Sequence, residues 1–450
     1  MPPGCRIAMT CIAERQSYNT GLDFARLLAE MGHHVTFVGQ SSVVQREHVE
    51  ANGFEFQGVG PPRAGIPKGS RIQRLQRLWA AYQDLIEAAE EFARQHASRF
   101  DAAFMDVNAR VAAHVLAKAG IPTIAFCSGY TSTFSLRYPP VNGCRRIPRS
   151  PDGTGWTERM ANLSWWTYAI LRRSVPTLLH NPISLVVNWK LRWQARKQGW
   201  RFAYGDWGVR PRLPEIAFAY KAIDWPVQQN STTRLYLDRR YTTRMESVDE
   251  DWRLGIDESK PLVYCSLGAM PGPEIWQDRE TRVLKESWRF ALPYLEVLVQ
   301  AFATRPDWQL LIAPGHLADG FDPGALPPNV KVCRWVRQDE VLSQAAVAIT
   351  AGGSATLRDC VRFGVPMLVF PLWSDHFGNA ARVAYHKLGY DGGDFRQLTP
   401  ARLVALVDSL LRDDEIAASV SKARQSCDAS LDTQVEDLRR FVERHTSIEL

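Results

Sequence analysis

The stretch "VAITAGGSATLRDC", residues 347–360, has the pattern of a buried strand, a glycine turn and the start of a helix. Glycines at such a turn let the main chain approach a bound anion, and the first turn of the helix offers it unpaired N–H groups. The turn has no His, Lys or Arg, because the residue before the two glycines is Ala351. The stretch therefore predicts a parallel α/β sheet with an anion site formed by main-chain amides.

The length and the composition of the chain limit which architectures and which cellular compartments are expected. A chain of 450 residues exceeds what one hydrophobic core accommodates, so we expect at least two domains. The eight cysteines include no Cys-x-x-Cys pair, which argues against a disulfide framework or a zinc site and favours a reducing compartment. The sequence has no signal-peptide pattern and no apolar run of membrane-spanning length, which predicts a cytoplasmic protein. The formal net charge of +6 suits an anionic substrate or a membrane surface, and we expect no nucleic-acid partner.

Strand–helix–strand patterns recur in the first third of the chain. Residues 5–12 and 35–39 have the pattern of short buried strands, and the helical spacing between them ends at Gly32. The segments "RFDAAFMDV" and "ARVAAHVLAKAGIPTIAF" repeat the strand, the helix and the next strand. These patterns predict a first α/β domain with a parallel sheet.

The same order restarts at "PLVYCSLGAM", residues 261–270, where a strand runs into a glycine turn that contains Ser266 and Gly268. Four further strands are predicted at residues 308–315, 329–336, 347–350 and 366–373. We therefore expect an amino-terminal domain over residues 1–235 and a carboxy-terminal domain over residues 236–428. Residues 429–450 are expected to form a final helix that packs back on the first domain.

A segment rich in tryptophan and arginine, residues 156–212, interrupts this pattern and is expected to be a helical insertion. It has six tryptophans from Trp165 to Trp207 and, beyond Glu158, a single acidic residue. An amphipathic helix packed on the first domain is the favoured interpretation. The alternative is a surface that contacts membrane headgroups or a lipophilic substrate.

Residues 329–380 resemble the donor-binding signature of family 1 glycosyltransferases, the nucleotide-sugar enzymes of the GT-B fold. The family pattern runs Trp-x-Pro-Gln, a strand ending in Thr-His-x-Gly, a helix, Gly-Val-Pro, and then Pro-x-x-x-Asp-Gln-x-x-Asn-Ala. The matching residues, in the same order and spacing, are Trp335, Gln338, Thr350, Gly353, Gly364, Val365, Pro366, Pro371, Asp375, Asn379 and Ala380. A series of this length is far more specific than a lone glycine motif.

The resemblance implies a role for each part of this signature. Trp335 would stack on the nucleobase, a contact worth about 1–3 kcal/mol, and Asp359 would accept hydrogen bonds from the ribose. Asp375 and His376 take the place of the family's Asp-Gln pair and would bind the sugar hydroxyls, and we expect them to end a strand at the cleft. The whole expected donor site comprises Trp335, Gln338, Gly352, Gly353, Ser354, Thr356, Asp359, Asp375, His376 and Asn379, with Ser266 and Gly268 from the first strand of the second domain.

The first domain carries a weaker resemblance to the same family. "LLAEMGHHVTFV" is similar to the family's helix-to-strand segment, and "AAFMDVNARVAAHVLAKAGIPTIAF" is similar to its aspartate-bearing strand, with Asp106 at the aspartate position. The resemblance implies the GT-B fold: two facing Rossmann-like domains with parallel sheets and an interdomain cleft, with the nucleotide sugar mainly on the second domain.

Three positions depart from the family pattern. The catalytic His of the first loop falls on Ser17, the diphosphate-binding His falls on Ala351, and Trp-x-Pro-Gln has Arg337 in place of proline. The missing base is the more serious loss, because general base catalysis contributes about 10²–10⁴-fold. Asp106 is the first candidate to replace it, and Glu14 in the same loop is the second.

These patterns together predict an inverting, metal-independent glycosyltransferase with an atypical base. It would use a UDP- or dTDP-sugar as co-substrate, no other cofactor, and a small-molecule or lipophilic acceptor, as in natural-product or glycolipid biosynthesis. A non-catalytic homologue that binds a nucleotide sugar or partners an active transferase is one alternative. A GT-B sugar-nucleotide epimerase is another. The protein is expected in the cytoplasm, and peripheral contact with a membrane is the second expectation for its cellular location.

Overall fold

Two parallel β-sheets, one from each half of the chain, organise the described part of the molecule. The computed structural model describes residues 4–446 apart from 13–14, 41–42, 61–69, 131–133, 141–143, 145–154, 181, 206–207, 230, 239–249, 254, 268–281, 316–320, 322–323, 373 and 432.

The first sheet has seven strands in the order β3-β2-β1-β4-β5-β8-β9, and each neighbouring pair is parallel. A separate antiparallel ribbon is formed by β6 and β7. The strands are β1 (Arg6–Thr10), β2 (His34–Gln40), β3 (Glu55–Val59), β4 (Ala102–Asp106), β5 (Thr123–Cys127), β6 (Phe202–Gly205), β7 (Gly208–Pro211), β8 (Glu215–Ala217) and β9 (Arg234–Tyr236). The helices are α1 (Arg15–Glu30), α2 (Val43–Glu50), α3 (Arg71–His96), α4 (Arg110–Ala119), α5 (Trp156–His180), α6 (Pro182–Lys197) and α7 (Pro226–Gln229).

The second sheet has six parallel strands in the order β12-β11-β10-β13-β14-β15. Its strands are β10 (Leu262–Ser266), β11 (Gln309–Ala313), β12 (Val330–Val332), β13 (Val347–Thr350), β14 (Met367–Val369) and β15 (Gly389–Asp391). The helices are α8 (Arg282–Ala303), α9 (Gln338–Leu342), α10 (Ser354–Phe363), α11 (His376–Tyr385), α12 (Pro400–Leu411), α13 (Asp414–Leu431) and α14 (Gln434–Thr446). The central strands β10, β11 and β13 are buried along their whole length. Such continuous burial is typical of parallel strands covered by helices on both faces.

Both sheets contain a point at which the strand order reverses. In the first sheet β1 pairs with β2 on one side and β4 on the other, and in the second β10 pairs with β11 and β13. Successive crossovers therefore leave in opposite directions, and a crevice opens beyond the carboxyl ends of these strands. The crevice of each sheet is where an α/β protein of this kind binds its ligand.

The final helix, α14, packs on the first sheet although it follows the second in sequence. Leu438, Phe441 and Val442 are buried in the same apolar cluster as Phe24 and Phe126. The chain thus returns to its first half after completing the second. The predicted division at residue 235 falls inside β9, the last strand of the first sheet.

The tryptophan-rich segment is helical only in part, which corrects the expectation of a helical insertion over residues 156–212. Helix α6 ends at Lys197, and strands β6 and β7 pair antiparallel over residues 202–211. Gly199 adopts a positive φ of 87°, which ends the helical geometry.

A buried ion pair joins the two halves. The Arg382 guanidinium of α11 donates to Asp224 Oδ1 at 2.9 and 3.1 Å, and both side chains are fully buried. Arg234 and Tyr236 of β9 reach the other oxygen of Asp224 at 3.3 and 2.7 Å. Removal of one partner from a buried pair of this kind leaves an uncompensated charge, so the pair strongly favours this relative position of the halves.

None of the helices in the described part of the chain combines the length and the apolar character that a membrane span needs.

Candidate functional site

The glycine turn predicted from residues 347–360 lies between β13 and α10. Gly352 has a φ of 91°, and a Cβ there would lie 2.8 Å from Val369 Cγ1 and 3.2 Å from the carbonyl oxygen of His376. Only glycine fits, because both the dihedral and the space exclude a side chain. Gly353 occupies the N-cap of α10 and contributes no side-chain hydrogen bond. The amides of the first turn and the positive end of the helix dipole therefore face the crevice without a competing side-chain cap.

A polar cluster lies directly beside this turn. Asn379 Nδ2 is 2.8 Å from the carbonyl oxygen of Gly352, 3.2 Å from Ser354 Oγ and 3.1 Å from Asp375 Oδ2. Ser354 Oγ in turn donates to Asp375 Oδ2 at 3.1 Å. Asn379 is fully buried and Ser354 nearly so. Asn379, Ser354 and Asp375, three residues of the expected sugar-nucleotide site, thus form one hydrogen-bonded group around the turn.

Asp375 and His376 do not end a strand, which corrects the expectation from the sequence. Strand β14 stops at Val369, Asp375 is the N-cap of α11, and His376 is the first residue of that helix. Pro371 ends the pairing because it lacks an N–H donor. Ser374 has a φ of 52°, a conformation that residues other than glycine adopt at an energetic cost and often at functional sites.

The His376 ring lies next to the glycine turn. Its Nε2 atom is 3.9 Å from the position that a Cβ on Gly353 would take, and the residue is buried. Burial lowers the pKa of His376, while the charge of Asp375 opposes that shift. A neutral imidazole therefore adjoins the turn from α11, whereas the family's histidine would come from position 351, where Ala351 is buried.

Trp335, Gln338 and Asp359 occupy the neighbouring part of the crevice edge. Gln338 Nε2 donates to Asp359 Oδ2 at 2.7 Å. Burial raises the pKa of Asp359, and the nearby Arg358 charge and the Gln338 hydrogen bond oppose the increase. Trp335 is half-buried, and its ring lies so close to Gly315 that a Cβ there would be 2.8 Å from Cη2. This part of the second half thus has an indole beside Gly315 and a carboxylate that is hydrogen-bonded to Gln338.

Other expected donor residues lie around the same edge. Ser266 ends β10 directly opposite Thr350 in the register of β10 and β13, so it lies at the crevice. Thr356 is buried in the first turn of α10. Gly268 falls outside the described residues.

The candidate catalytic residues meet at the crevice of the first sheet. Ser17 Oγ donates to Asp106 Oδ2 at 2.5 Å, and the Asn108 amide donates to Asp106 Oδ1 at 2.8 Å. Ser17 Oγ also accepts from the Ile12 amide at 3.3 Å. Both side chains are buried, and Asp106 is the last residue of β4. Glu14 lies outside the described residues.

Three contacts near the junction were not predicted from the sequence, and two of them, Gly129 with Ser354 and Arg382 with Asp224, join the two halves. A Cβ on Gly129, in the loop after β5, would lie 2.3 Å from Ser354 Oγ, so that loop touches the start of α10. Arg358 of α10 lies 3.6 Å from Asp238, and Arg382 pairs with Asp224. Gly129 follows Ser128 in a stretch that has no recognisable motif, so its contact with α10 could be found only in the three-dimensional structure.

Among the described residues, no group of three or more His, Cys, Asp or Glu side chains has an arrangement that could hold a metal ion. Main-chain amides and the positive end of the α10 dipole lie at the turn.

Comparison with known proteins relates part of this chain to a known domain. A sequence profile of the EryCIII-like C-terminal domain, described as erythromycin biosynthesis protein CIII-like, matches residues 311–434. Demethyllactenocin mycarosyltransferase of Streptomyces fradiae is 27% identical over 168 residues, which cover 37% of this chain and 32% of that relative. Zeaxanthin glucosyltransferase of Pantoea ananas is 30% identical over 165 residues, which cover 36% of this chain and 34% of that relative. The match thus spans about a third of the length of these curated relatives.

Solved structures resemble the whole chain. The glycotransferase of kitacinnamycin superposes with a TM-score of 0.64 at 23% identity, covering 99% of this chain and 100% of the other. Glycosyltransferase VinC, solved in complex with dTDP, superposes with a TM-score of 0.61 at 19% identity, covering 98% of this chain and 100% of the other. These structures show the two-sheet GT-B fold over the full chain. Residues 311–434 are thus similar to the EryCIII-like C-terminal domain, and the chain as a whole has the GT-B fold.

Proposed function

We propose that this chain transfers a sugar from a UDP- or dTDP-sugar to a hydroxyl of a small-molecule or lipophilic acceptor, as in natural-product or glycolipid biosynthesis. The observation that carries the proposal is the glycine turn at Gly352–Gly353. The amides at the start of α10 lie there, with the Asn379 group of polar side chains and the Gln338–Asp359 pair as neighbours. Relatives named as mycarosyltransferase and zeaxanthin glucosyltransferase support the reaction class.

The donor would bind along the edge of the second sheet. The indole of Trp335 offers a stacking face for the base, and Asp359, oriented by Gln338, accepts from the ribose hydroxyls. The α10 amides and dipole hold the diphosphate. Asp375, held by Ser354 and Asn379, then faces the sugar. The complex of VinC with dTDP is consistent with a thymidine donor.

The diphosphate site keeps its function without a histidine at position 351. A charge-assisted hydrogen bond contributes about 1.5–3 kcal/mol, and several main-chain amides at a helix start supply comparable attraction. The neutral His376 ring can add one N–H donor from the opposite side of the turn. Because these groups balance the charge of the departing diphosphate, the proposed transfer is metal-independent.

The acceptor would be deprotonated through Ser17. As the acceptor oxygen attacks C1 of the sugar, its proton passes to Ser17 Oγ while the Ser17 proton passes to Asp106 Oδ2, over the 2.5 Å hydrogen bond. The bond between C1 and the diphosphate oxygen breaks, and the diphosphate leaves with the electron pair. Attack on the face opposite the leaving group inverts the configuration at C1.

Asp106→Asn tests the proposed base. The amide keeps the shape of the carboxylate and can accept from Ser17, but it cannot take up a proton. We expect the turnover number to fall by about 10²-fold or more with unchanged donor affinity. Ser17→Ala should lower turnover as well, because it interrupts the relay. Glu14→Gln is the matched control, and a loss confined to Glu14→Gln would assign the base to Glu14 instead.

Incubation of the purified chain with UDP- and dTDP-sugars tests the reaction class. Release of free sugar in water, or transfer to an added acceptor, supports the proposal. Tight binding of the nucleotide without turnover across many acceptors would instead identify a non-catalytic homologue. Recovery of an isomeric donor would identify an epimerase, and loss of turnover in a metal chelator would contradict metal independence.

A further inference from the structure

Helix α6 presents an apolar and cationic face to solvent. Val186, Trp189 and Trp193 follow one another at helical spacing and are 53%, 63% and 48% exposed. Lys190, Arg196 and Lys197 are exposed on the same helix, and we call these six residues the α6 face. A stripe of this size is unusual on a surface that contacts only water, because large exposed apolar groups normally mark an interaction site.

The adjoining helix α5 extends this surface. Trp156, Leu163, Tyr168 and Leu171 are exposed on α5, which packs against α6. The opposite sides of the hairpin are anchored on the protein: α6 packs on α3 and α4, and Trp166 of α5 is fully buried. The exposed aromatic residues are therefore not the core-facing side of an amphipathic helix, since the core-facing side is filled by other residues.

The charge of the hairpin has one sign. Helices α5 and α6 contain the cations Arg159, Arg172, Arg173, Lys190, Arg192, Arg196 and Lys197 and the single acid Glu158. Glu158 is buried, whereas Arg159, Lys190, Arg196 and Lys197 are exposed. Two copies of the chain meeting on this face would bring cations against cations, which argues against self-association.

The mixture of residue types identifies the partner. Tryptophan and tyrosine prefer the boundary between headgroups and acyl chains, and lysine and arginine attract anionic headgroups. The Lys197 ammonium lies 3.6 Å from the centre of the Trp193 ring, so the cation and the aromatic face form one unit at the surface. We propose that the α6 face, with the adjoining exposed residues of α5, docks this protein on an anionic lipid bilayer.

The proposal does not rest on sugar transfer, because binding to vesicles is measured without donor or acceptor. The purified full chain would be sedimented with vesicles of phosphatidylcholine alone and with vesicles that also contain phosphatidylglycerol. We expect binding to the anionic vesicles to exceed binding to the neutral ones at least tenfold and to weaken as sodium chloride is raised.

Two sets of variants locate the contact. Trp189→Ser with Trp193→Ser should lower the affinity for anionic vesicles at least tenfold, because the interfacial aromatic groups are lost. Lys190→Ser with Arg196→Ser should lower it about fivefold for each cation removed and flatten the salt dependence. Arg439→Ser with Arg444→Ser removes the same charge from α14, where both residues are exposed, and should leave vesicle affinity near wild type. Thermal unfolding of each variant confirms that it is folded.

Three outcomes would overturn the proposal. The first is a wild type that binds anionic and neutral vesicles equally weakly. The second is unchanged vesicle affinity in the tryptophan variant, which would place the contact elsewhere. The third is a wild-type dimer that the tryptophan variant converts to a monomer, because the face would then be an interface between copies of the chain.

Discussion

At the scale of single residues, the candidate anion site depends more on the main chain than on charge. Gly352 is required by its φ of 91° and by the 2.8 Å approach to Val369, and Ala351 behind it is buried. Loss of a histidine at position 351 therefore leaves the geometry of the turn intact. The side chains that discriminate between ligands, Trp335 and Asp359 among them, lie beside the turn instead.

Replacement of Trp335 tests the assignment of the base-binding position. Trp335→Ala should weaken binding of UDP and dTDP by about tenfold or more, because a stacked base contributes about 1–3 kcal/mol. Trp335→Phe keeps an aromatic face and should be milder. Titration calorimetry measures both affinities, and Trp193→Ala, an exposed tryptophan of α6, is the control. Equal affinities in wild type and Trp335→Ala would remove the base from this position.

At the scale of secondary-structure elements, the local sequence pattern predicted individual strands and helices better than it predicted contacts between distant parts of the chain. The strand and helix on either side of Gly352–Gly353 follow from apolar periodicity and glycine position, and the structure has β13 and α10 there. Sequence periodicity predicted two α/β domains, and the GT-B fold was implied by the resemblance of residues 329–380 to family 1 glycosyltransferases. Asp375 was misplaced because a helix start and a strand end look alike after a proline. The β6–β7 ribbon was not predicted, because the many cations and tryptophans of this segment favoured a helical interpretation over two short strands.

The contact between the β5 loop and α10 could not be predicted, since it joins residues more than two hundred positions apart. A Cβ on Gly129 would meet both Oγ and Cβ of Ser354, at 2.3 and 2.7 Å. Gly129→Ala should therefore lower the free energy of unfolding, and Ser354→Gly should relieve that loss because it removes both atoms.

A double-mutant cycle over the wild type, Gly129→Ala, Ser354→Gly and the double variant measures this coupling by denaturant unfolding. We expect a coupling free energy of about 1 kcal/mol or more, with the double variant more stable than the sum of the single changes predicts. Strict additivity would mean that the loop and the helix do not touch in solution, and the halves would then be further apart than the structure has them.

At the scale of the whole molecule, the buried groups at the junction of the halves couple domain position to protonation. Arg382 and Asp224 are fully buried partners, and the Tyr130 and Trp225 rings lie 4.6 and 4.8 Å from the Arg382 guanidinium carbon. His386 adds a titratable group at the same junction, with Nε2 3.2 Å from the carbonyl oxygen of Asp224. The sequence could not predict this network, because its members come from α11, β9 and the segment before α7.

His386 gives the junction a defined pH dependence. Burial is the main cause that lowers the pKa of His386 to about 4, and the Arg382 charge acts in the same direction, whereas Asp224 opposes it. In the unfolded chain an imidazole titrates near 6.5. Between these two values the unfolded chain binds a proton that the folded chain does not, so the free energy of unfolding decreases as the pH falls from about 6.5 to about 4. A shift of this size corresponds to a loss on the order of 3 kcal/mol.

His386→Gln separates this contribution from that of the other titrating groups. Glutamine can still donate to the Asp224 carbonyl but does not titrate, so the difference in unfolding free energy between wild type and variant should change by about 3 kcal/mol between pH 7 and pH 4, in favour of the variant at the lower pH. His34→Gln, at an exposed histidine that starts β2, is the control and should follow the wild-type curve. Denaturant midpoints at a series of pH values provide the measurement. Parallel curves for wild type and His386→Gln would show that His386 protonates as readily in the folded protein as in the unfolded chain, which requires the junction to open to water.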